Sequence, residues 1–274
     1  MPDIDAIAAQ VRQLQDAATL APTITAGDTS FGSDAAYAVS SRLRALRLEQ
    51  GWTPVGRKIG FTNRTIYEEY GVYQPIFGTM YDRTVACLDM SKPLHEVPLA
   101  GLSQPRLEPE IVFKLKAPPP RSGDPVDLLG AVEWMAHGIE LVQCHFPDWK
   151  FQVADTIADG GLHGLYRVGN PVPVPKGIDE RRTLAERLER FTCTLLREDE
   201  LMSTGGGEVV LGSPLNALAH LVEVLASLPD HPALEAGELV TTGTLTAAMP
   251  VQAGETWSTR IEGLEVEELR ILFV

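Results

Sequence analysis

The stretch L-E-P-E-I-V-F-K-L, from Leu107 to Leu115, predicts a β-strand with two different faces. Side chains alternate along a strand, so Glu108 and Glu110 share one face, and Ile111 and Phe113 share the other. Two neighbouring carboxylates on a rigid strand repel each other unless a positive charge lies between them. A hard divalent cation would supply that charge, because Mg²⁺ and related ions prefer oxygen ligands. The alternative is a strand with one solvated face and two exposed glutamates.

The composition around this stretch indicates a globular protein and restricts its partners. The 274 residues are 44% hydrophobic and 22% charged, enough for one large domain or two smaller ones. The net charge of −14 argues against nucleic-acid and anionic-lipid surfaces, because both need clustered lysine and arginine. No apolar run approaches the roughly 20 residues of a membrane span, no signal peptide is recognisable, and the three cysteines are scattered singly. We therefore predict a cytoplasmic protein without nucleic-acid or membrane partners.

Hydrophobic periodicity predicts how the chain is divided. Apolar spacing indicates helices over residues 4–20 and 34–48, so residues 1–50 are expected to form a helical segment packed on the body. Residues 51–274 are expected to form this body, with many short strands. Within it we predict a strand from Met80 to Leu88 and a helix from Asp127 to Met135.

Two other predicted strands also contain charged side chains. Glycines bracket a short strand that contains Arg57 and Lys58, which as neighbours face opposite sides, so one of them could point inward. An inward lysine would stabilise developing negative charge, whereas an exposed basic pair is the alternative. Glu140 is the single charge in the strand Gly138–Cys144. Because burying an unpaired carboxylate is costly, Glu140 either lies on a wet face, has a buried partner or is a third metal ligand.

A glycine-rich segment follows that strand. His163 lies between Gly161 and Gly164, where backbone without side chains allows a ligand to approach closely. A histidine there could act as an acid or base near neutral pH, or it could be a hydrogen-bonded structural residue.

Several blocks, in their order along the chain, resemble one family. They are G-R-K-I-G-F-T, Q-P-I-F-G, P-R-L-E-P-E-I-V-F, G-I-E-L-V, D-W-K with a later A-D, and G-E-L-V-T-T-G-T-L-T. Together they resemble the 2-keto-4-pentenoate hydratase and 4-oxalocrotonate decarboxylase branch of the fumarylacetoacetate hydrolase superfamily. The resemblance covers most of the chain.

The resemblance implies an α+β fold, with a mixed β-roll body of the fumarylacetoacetate hydrolase type and an N-terminal helical segment. It also implies a divalent metal, Mg²⁺ or Mn²⁺, and a homo-oligomer. The site residues that it implies are the metal ligands Glu108, Glu110 and Glu140, the active-site lysine Lys58, and Gly243 and Thr244 at the substrate carboxylate.

The chain departs from the family pattern beside the implied metal site. Ile76 stands where related hydratases commonly carry an aspartate, and Ala158-Asp159-Gly160 replaces a common A-D-N. The metal ligands therefore look intact, while part of the polar shell that handles protons has changed.

The interpretation is a metal-dependent hydratase, a lyase acting through a metal-bound enolate on a 2-hydroxy-dienoate or similar 2-oxo acid from aromatic catabolism. Lys58 would stabilise the enolate, and His163 would act over the distal carbons with Glu69 and Asp159 behind it. One alternative is a C–C bond hydrolase or a 2-oxo acid decarboxylase of the same superfamily. Another is a non-catalytic relative that serves as an assembly partner.

Overall fold

The computed structural model describes residues 2–64 and 67–274, and the side chains of residues 69 and 70 lie outside the described set. The described helices are α1 (Ile4–Ala17), α2 (Ile24–Gly27), α3 (Ser33–Glu49), α4 (Tyr67–Tyr70), α5 (Pro125–Gly130), α6 (Val153–Ala158), α7 (Ile178–Arg190) and α8 (Pro214–Ser227). The described strands are β1 (Pro54–Gly60), β2 (Ile76–Tyr81), β3 (Val85–Cys87), β4 (His95–Val97), β5 (Arg106–Leu115), β6 (Val132–Val142), β7 (His163–Val168), β8 (Val172–Pro173), β9 (Thr192–Arg197), β10 (Glu200–Gly206), β11 (Leu239–Thr241), β12 (Met249–Pro250), β13 (Thr256–Glu262) and β14 (Arg270–Phe273).

The described strands form two sheets. In the larger sheet the strand order is β2-β1-β11-β5-β6-β7-β3, and β12 and β8 pair with β5 and β6. The pair β1 and β11 is parallel, whereas β11, β5, β6 and β7 are antiparallel neighbours. The smaller sheet has the order β10-β9-β13-β14-β4. Mixed sheets combined with helices confirm the predicted α+β class.

Strand β5 has the two faces that its sequence predicts, but both are covered. Ile111 and Phe113 lie in the largest hydrophobic cluster, which also includes residues of α3, α5 and α8. On the opposite face Val112 packs in a separate cluster, and Glu110 is fully buried. The alternative of a solvated strand face is therefore wrong at Glu110.

The two predicted N-terminal helices are confirmed as α1 and α3. The side chain of Asp3 caps α1 by accepting a hydrogen bond from the Ala6 amide (3.1 Å). Tyr37 of α3 stacks on Phe77 of β2 with ring centroids 4.9 Å apart, so this segment packs directly on the larger sheet. None of the described helices is long and apolar enough to cross a membrane.

Two predicted elements differ from the structure. The helix predicted from Asp127 to Met135 ends at Gly130, and β6 begins at Val132 because pairing with β5 extends to Leu115 opposite Val132. The strand predicted from Met80 to Leu88 is split into β2 and β3. The hydroxyl of Thr84 accepts from the Tyr81 amide (3.2 Å) and closes a turn between them.

Candidate active site

Three carboxylates meet on one face of the larger sheet. Glu108 and Glu110 lie on β5, and Glu140 lies directly opposite Glu108 on β6. Their nearest oxygens all lie within 4.8 Å of one another. Glu110 and Glu140 are completely buried, and Glu108 is half-buried. The strand register alone brings the three together, because directly opposite residues of antiparallel strands have adjacent side chains.

The carboxylate of Glu110 lacks hydrogen-bond donors from the described part of the chain. Neither oxygen of Glu110 has a hydrogen-bond donor of normal geometry among the described residues, and Oε2 of Glu140 has the ammonium of Lys58 at 3.2 Å. Burial, reinforced by the charge of Glu140, raises the pKa of Glu108 to about 7 and holds that of Glu110 well above its usual range. Three buried carboxylates with too few donors are destabilising unless a cation compensates them.

The donor set fits a hard divalent cation. Three carboxylates supply only oxygen ligands, which Mg²⁺, Mn²⁺ and Ca²⁺ accept, and no thiol or imidazole belongs to the described cluster. The unpartnered oxygens of Glu110 are the atoms such an ion would satisfy.

Lys58 reaches the same cluster from β1. Its ammonium Nζ lies 3.2 Å from Oε2 of Glu140 and donates a hydrogen bond to the Gly161 carbonyl (2.9 Å). Gly161 has φ +72°, and a side chain there would crowd Cδ of Lys58. Burial alone would lower the pKa of Lys58, but the charges of Glu140, Glu108 and Glu110 raise it. The lysine therefore stays protonated.

Both members of the predicted Arg57–Lys58 pair are buried. Arg57 points to the other side of β1, where its guanidinium pairs with Glu238 (2.9 Å). The alternative of an exposed basic pair is therefore wrong, because both faces of β1 are covered.

His163 contacts the carboxylate oxygen of Glu140 that Lys58 does not. Its Nδ1 lies 2.7 Å from Oε1 of Glu140, and its Nε2 lies 2.8 Å from Oγ1 of Thr84. A carboxylate can only accept, so Nδ1 carries the proton in this contact. Burial opposes ionisation of Glu140, but the Lys58 ammonium and the His163 hydrogen bond outweigh it and lower the pKa of Glu140.

His163 lines a different cavity from Lys58. That second cavity, of about 300 Å³, also includes Trp52, Arg47 and Arg83 in its wall. The segment of residues 160–165 separates the two cavities, since Gly161 and Leu162 face the Lys58 side. This placement favours a role for His163 in orienting Glu140, and its predicted acid–base role stays a prediction.

Asp159 and Glu69 were predicted behind His163. The carboxylate of Asp159 accepts from Nδ1 of His145 (2.8 Å) and from Nε2 of Gln15 (3.1 Å), and Asp159 is absent from the described lining of both cavities. This pairing does not favour a direct role for Asp159 in catalysis. The side chain of Glu69 lies outside the described residues.

The predicted turn at Gly243 and Thr244 lies at the cavity beside Lys58. Gly243 has φ +93°, and a side chain there would collide with Oγ1 of Thr62. Thr244 lines the cavity, and its hydroxyl donates to the Thr246 carbonyl (2.9 Å). The structure thus brings this turn to the carboxylate cluster.

The cavity beside Lys58 contains residues that sequence reasoning did not select. Its described lining is Lys58, Gly60, Phe61, Thr62, Asn63, Glu108, Val142, Trp149, Gly161, Leu162, Thr244 and Ala248. The segment of residues 145–151, H-F-P-D-W-K-F, is dense in aromatic residues, which is a sequence signal that could have indicated the apolar part of this cavity.

Comparisons with known proteins identify the family. No family model matches the chain. The chain is 34% identical over 266 residues to the 2-keto-4-pentenoate hydratase of Paraburkholderia phymatum, covering 95% of this chain and 94% of that relative. It is 31% identical over 252 residues to the 2-hydroxyhexa-2,4-dienoate hydratase of Comamonas testosteroni, covering 92% and 90%. The chain therefore belongs to the 2-keto-4-pentenoate hydratase family.

The fold is shared with a solved enzyme. The 4-oxalocrotonate decarboxylase from Pseudomonas putida G7, complexed with magnesium and adipate, superposes with a TM-score of 0.86 at 24% identity. The match covers 99% of this chain and 97% of that chain. The body of the fumarylacetoacetate hydrolase type implied by the resemblance is confirmed.

Proposed function

We propose that this enzyme is a divalent-metal-dependent hydratase, a lyase that adds water to a short 2-hydroxy-dienoate, or its 2-oxo tautomer, formed in aromatic catabolism. The observation that carries the proposal is the buried cluster of Glu108, Glu110 and Glu140 with Lys58 against it. The names of the hydratase relatives support the reaction and the substrate class.

Glu108, Glu110 and Glu140 would hold Mg²⁺ or Mn²⁺ through their carboxylate oxygens. When bound, such a cation supplies Lewis-acid polarisation of the carboxylate and oxo group of a 2-oxo acid. A magnesium complex of a protein with the same fold supports the choice of a divalent ion.

Lys58 would stabilise negative charge that develops on the substrate oxygen. Its raised pKa keeps the ammonium charged, and its contacts with Glu140 and the Gly161 carbonyl fix the direction of the side chain before substrate arrives. Among the described lining residues of this cavity, Lys58 and Glu108 are the titratable ones.

The remaining polar groups would bind and orient. The turn at Gly243 and Thr244 would hold the substrate carboxylate. His163 would keep Glu140 in its ligand orientation through the 2.7 Å contact, as outer-shell partners of metal ligands commonly do.

The alternative outcome is C–C cleavage or decarboxylation on the same metal. Ile76, at the position where an aspartate was expected, is 1% exposed and packs in the main hydrophobic core. This chain therefore lacks the aspartate that would handle protons at that position. The absence makes C–C cleavage and decarboxylation alternatives to hydration, and the product formed distinguishes between them.

The experiment is incubation of the metal-loaded enzyme with 2-hydroxypenta-2,4-dienoate, followed by mass analysis of products. The expected result is a gain of one water without loss of carbon. Release of carbon dioxide or of a second acid would support the alternative, and no turnover with either Mg²⁺ or Mn²⁺ would contradict the proposal.

A further inference from the structure

Three bulky residues that line the cavity beside Lys58 have left-handed backbone. Phe61, Trp149 and Leu162 have φ of +53°, +58° and +62°. Large L-residues rarely adopt this conformation, which is retained only where the surrounding structure imposes it, and such residues cluster at functional sites. The three belong to separate segments, after β1, after β6 and before β7, yet they meet in one wall.

A hydrogen bond and an aromatic contact fix the position of the Trp149 indole in the cavity wall. Its indole Nε1 donates to the Gln104 carbonyl (3.0 Å), and the ring of Phe151 lies 6.3 Å away. The side-chain amide of Gln104 donates to the Phe146 carbonyl (2.8 Å), and its oxygen accepts from the Asp148 amide (3.1 Å). These bonds join the segments before β5 and after β6, so the indole is a fixed surface.

The Trp149 indole also stacks on the guanidinium of Arg106. The Arg106 guanidinium lies 4.3 Å from the Trp149 ring centroid, and Arg106 is absent from the described lining of the cavity, whereas Trp149 belongs to it. Arg106 and Glu108 share a face of β5 two residues apart, about 7 Å along a strand. Trp149 therefore lies beside the proposed metal ligand Glu108. The Arg106 guanidinium lies on the face of the indole, outside the described lining of the cavity.

The described lining has one polar part and one apolar part. Lys58 and Glu108 are its charged residues, whereas Phe61, Val142, Trp149, Leu162 and Ala248 are apolar. A substrate with its oxo oxygen against Lys58 and its carboxylate at the Thr244 turn would meet the apolar part of the lining with its tail.

We propose that Trp149 is a specificity-determining residue, whose indole limits the cavity to short, uncharged tails and screens a tail from Arg106. This inference rests on the proposed function, because it takes the head of the ligand to be a 2-oxo acid. Removal of the indole would lengthen the cavity and expose the guanidinium, so a tail ending in a second carboxylate would then find a partner.

The test measures binding rather than turnover, so it does not depend on which product forms. Dissociation constants of 2-oxopentanoate, 2-oxohexanoate and 2-oxohexanedioate, which have no conjugated double bond to hydrate, are measured by calorimetry on Mg²⁺-loaded protein. The variants are Trp149→Ala, Trp149→Phe and the double variant Trp149→Ala/Arg106→Ala. The matched control is Trp52→Ala, because Trp52 stacks on Arg47 at the same 4.3 Å but lines the second cavity.

We expect wild type to prefer 2-oxopentanoate. Trp149→Ala should shift the Kd ratio toward the six-carbon monoacid by about tenfold, the discrimination typical of one methylene, and toward the diacid by more. The double variant should lose the improved relative affinity for the diacid and keep the improved relative affinity for the six-carbon monoacid. Trp149→Phe should give intermediate Kd ratios. Trp52→Ala should leave the Kd ratios unchanged. Equal changes for all three acids in Trp149→Ala, with melting temperatures matching wild type, would overturn the inference. Failure of the dienoate turnover experiment would instead overturn the proposed function.

Discussion

Two groups of buried carboxylates in this protein differ in how many hydrogen-bond donors reach their oxygens. Asp155 is fully buried and accepts hydrogen bonds from the Thr25 amide (3.0 Å), the Thr25 hydroxyl (2.7 Å) and the Gln152 amide (2.9 Å). Asp159 is likewise buried and bonded to His145 and Gln15. Glu110 is equally buried, yet neither of its oxygens has a hydrogen-bond donor of normal geometry among the described residues, although the nearby Thr241 hydroxyl favours its charged form.

This difference in donors distinguishes a carboxylate that stabilises the fold from one that is available to bind a metal ion. Burying an ionised group is costly, so a protein compensates it with donors or with an opposite charge. Asp155 receives its compensation from the chain, and we expect stability to depend on it. Glu110 receives little, and we expect it to reduce the stability of the metal-free protein and to hold the metal.

The largest expected effect comes from Glu110→Gln. Loss of a ligand carboxylate should lower turnover by about 10³-fold. The metal-free variant should melt roughly 2 °C or more above wild type at neutral pH, because a neutral amide avoids the cost of burying or protonating a carboxylate beside Glu140 and Glu108. Thermal melting and steady-state assays check both effects, and Glu223→Gln, at an exposed ion pair, is the matched control. If metal-free Glu110→Gln melted below wild type and its turnover were normal, Glu110 would not differ from Asp155 in the way proposed.

The opposite pattern is expected for Asp155→Ala. The amide and hydroxyl of Thr25 would lose their acceptor, which should lower the free energy of unfolding by about 3 kcal/mol. Metal affinity of the folded variant should equal that of wild type. Chemical denaturation and metal titration measure the two quantities, with the exposed Glu223→Ala as a control whose stability changes by less than about 0.5 kcal/mol. Weaker metal binding in Asp155→Ala would contradict this assignment.

A smaller effect is expected for His163→Ala. Loss of the hydrogen bond to Glu140 should weaken metal affinity by about 10- to 100-fold. Activity at saturating metal should then recover most of its wild-type value, which would fit an orienting role. A large loss of kcat that persists at saturating metal would instead support the predicted acid–base role. His231→Ala, which removes a buried histidine bonded to the Tyr37 carbonyl, is the control.

The smallest effect is a gradual dependence on pH. The folded, metal-free protein holds the pKa of Glu108 at about 7, above the ordinary 4.5, so protons compete with the metal below that pH. Because the pKa of the second ligand, Glu110, is also raised, metal affinity should rise with pH and fall by about tenfold or more per unit below about pH 7. The stability of the metal-free protein should change with the opposite sign, since a raised carboxyl pKa favours folding as pH falls from 7 toward 4.5. Affinity that is independent of pH over this range would contradict the pKa shift.

The sequence predicts this site in part, and the reason is physical. Alternation along β5 is a local signal, so the shared face of Glu108 and Glu110 follows from two-residue spacing. The buried charge in an apolar strand singles out Glu140, and the family resemblance joins it to the other two. The environment of Asp159 could not be predicted, because its partner Gln15 lies 144 positions away in the chain.

The apolar part of the cavity was not predicted for a similar reason. Leucine, phenylalanine and tryptophan usually avoid left-handed backbone, and no residue preference signals it at Leu162 or Trp149. The end of α5 at Gly130 was missed as well, because pairing with β5 overrides the helical pattern that continues to Met135.

The most direct test of the central claim is a Mn²⁺ titration of the metal-free protein followed by electron paramagnetic resonance. We predict one tight Mn²⁺ per chain in wild type and in Asp155→Ala, displaced by Mg²⁺, and no tight Mn²⁺ in Glu110→Gln. Wild-type Mn²⁺ binding in Glu110→Gln would contradict the claim that the unpartnered carboxylates form the metal site.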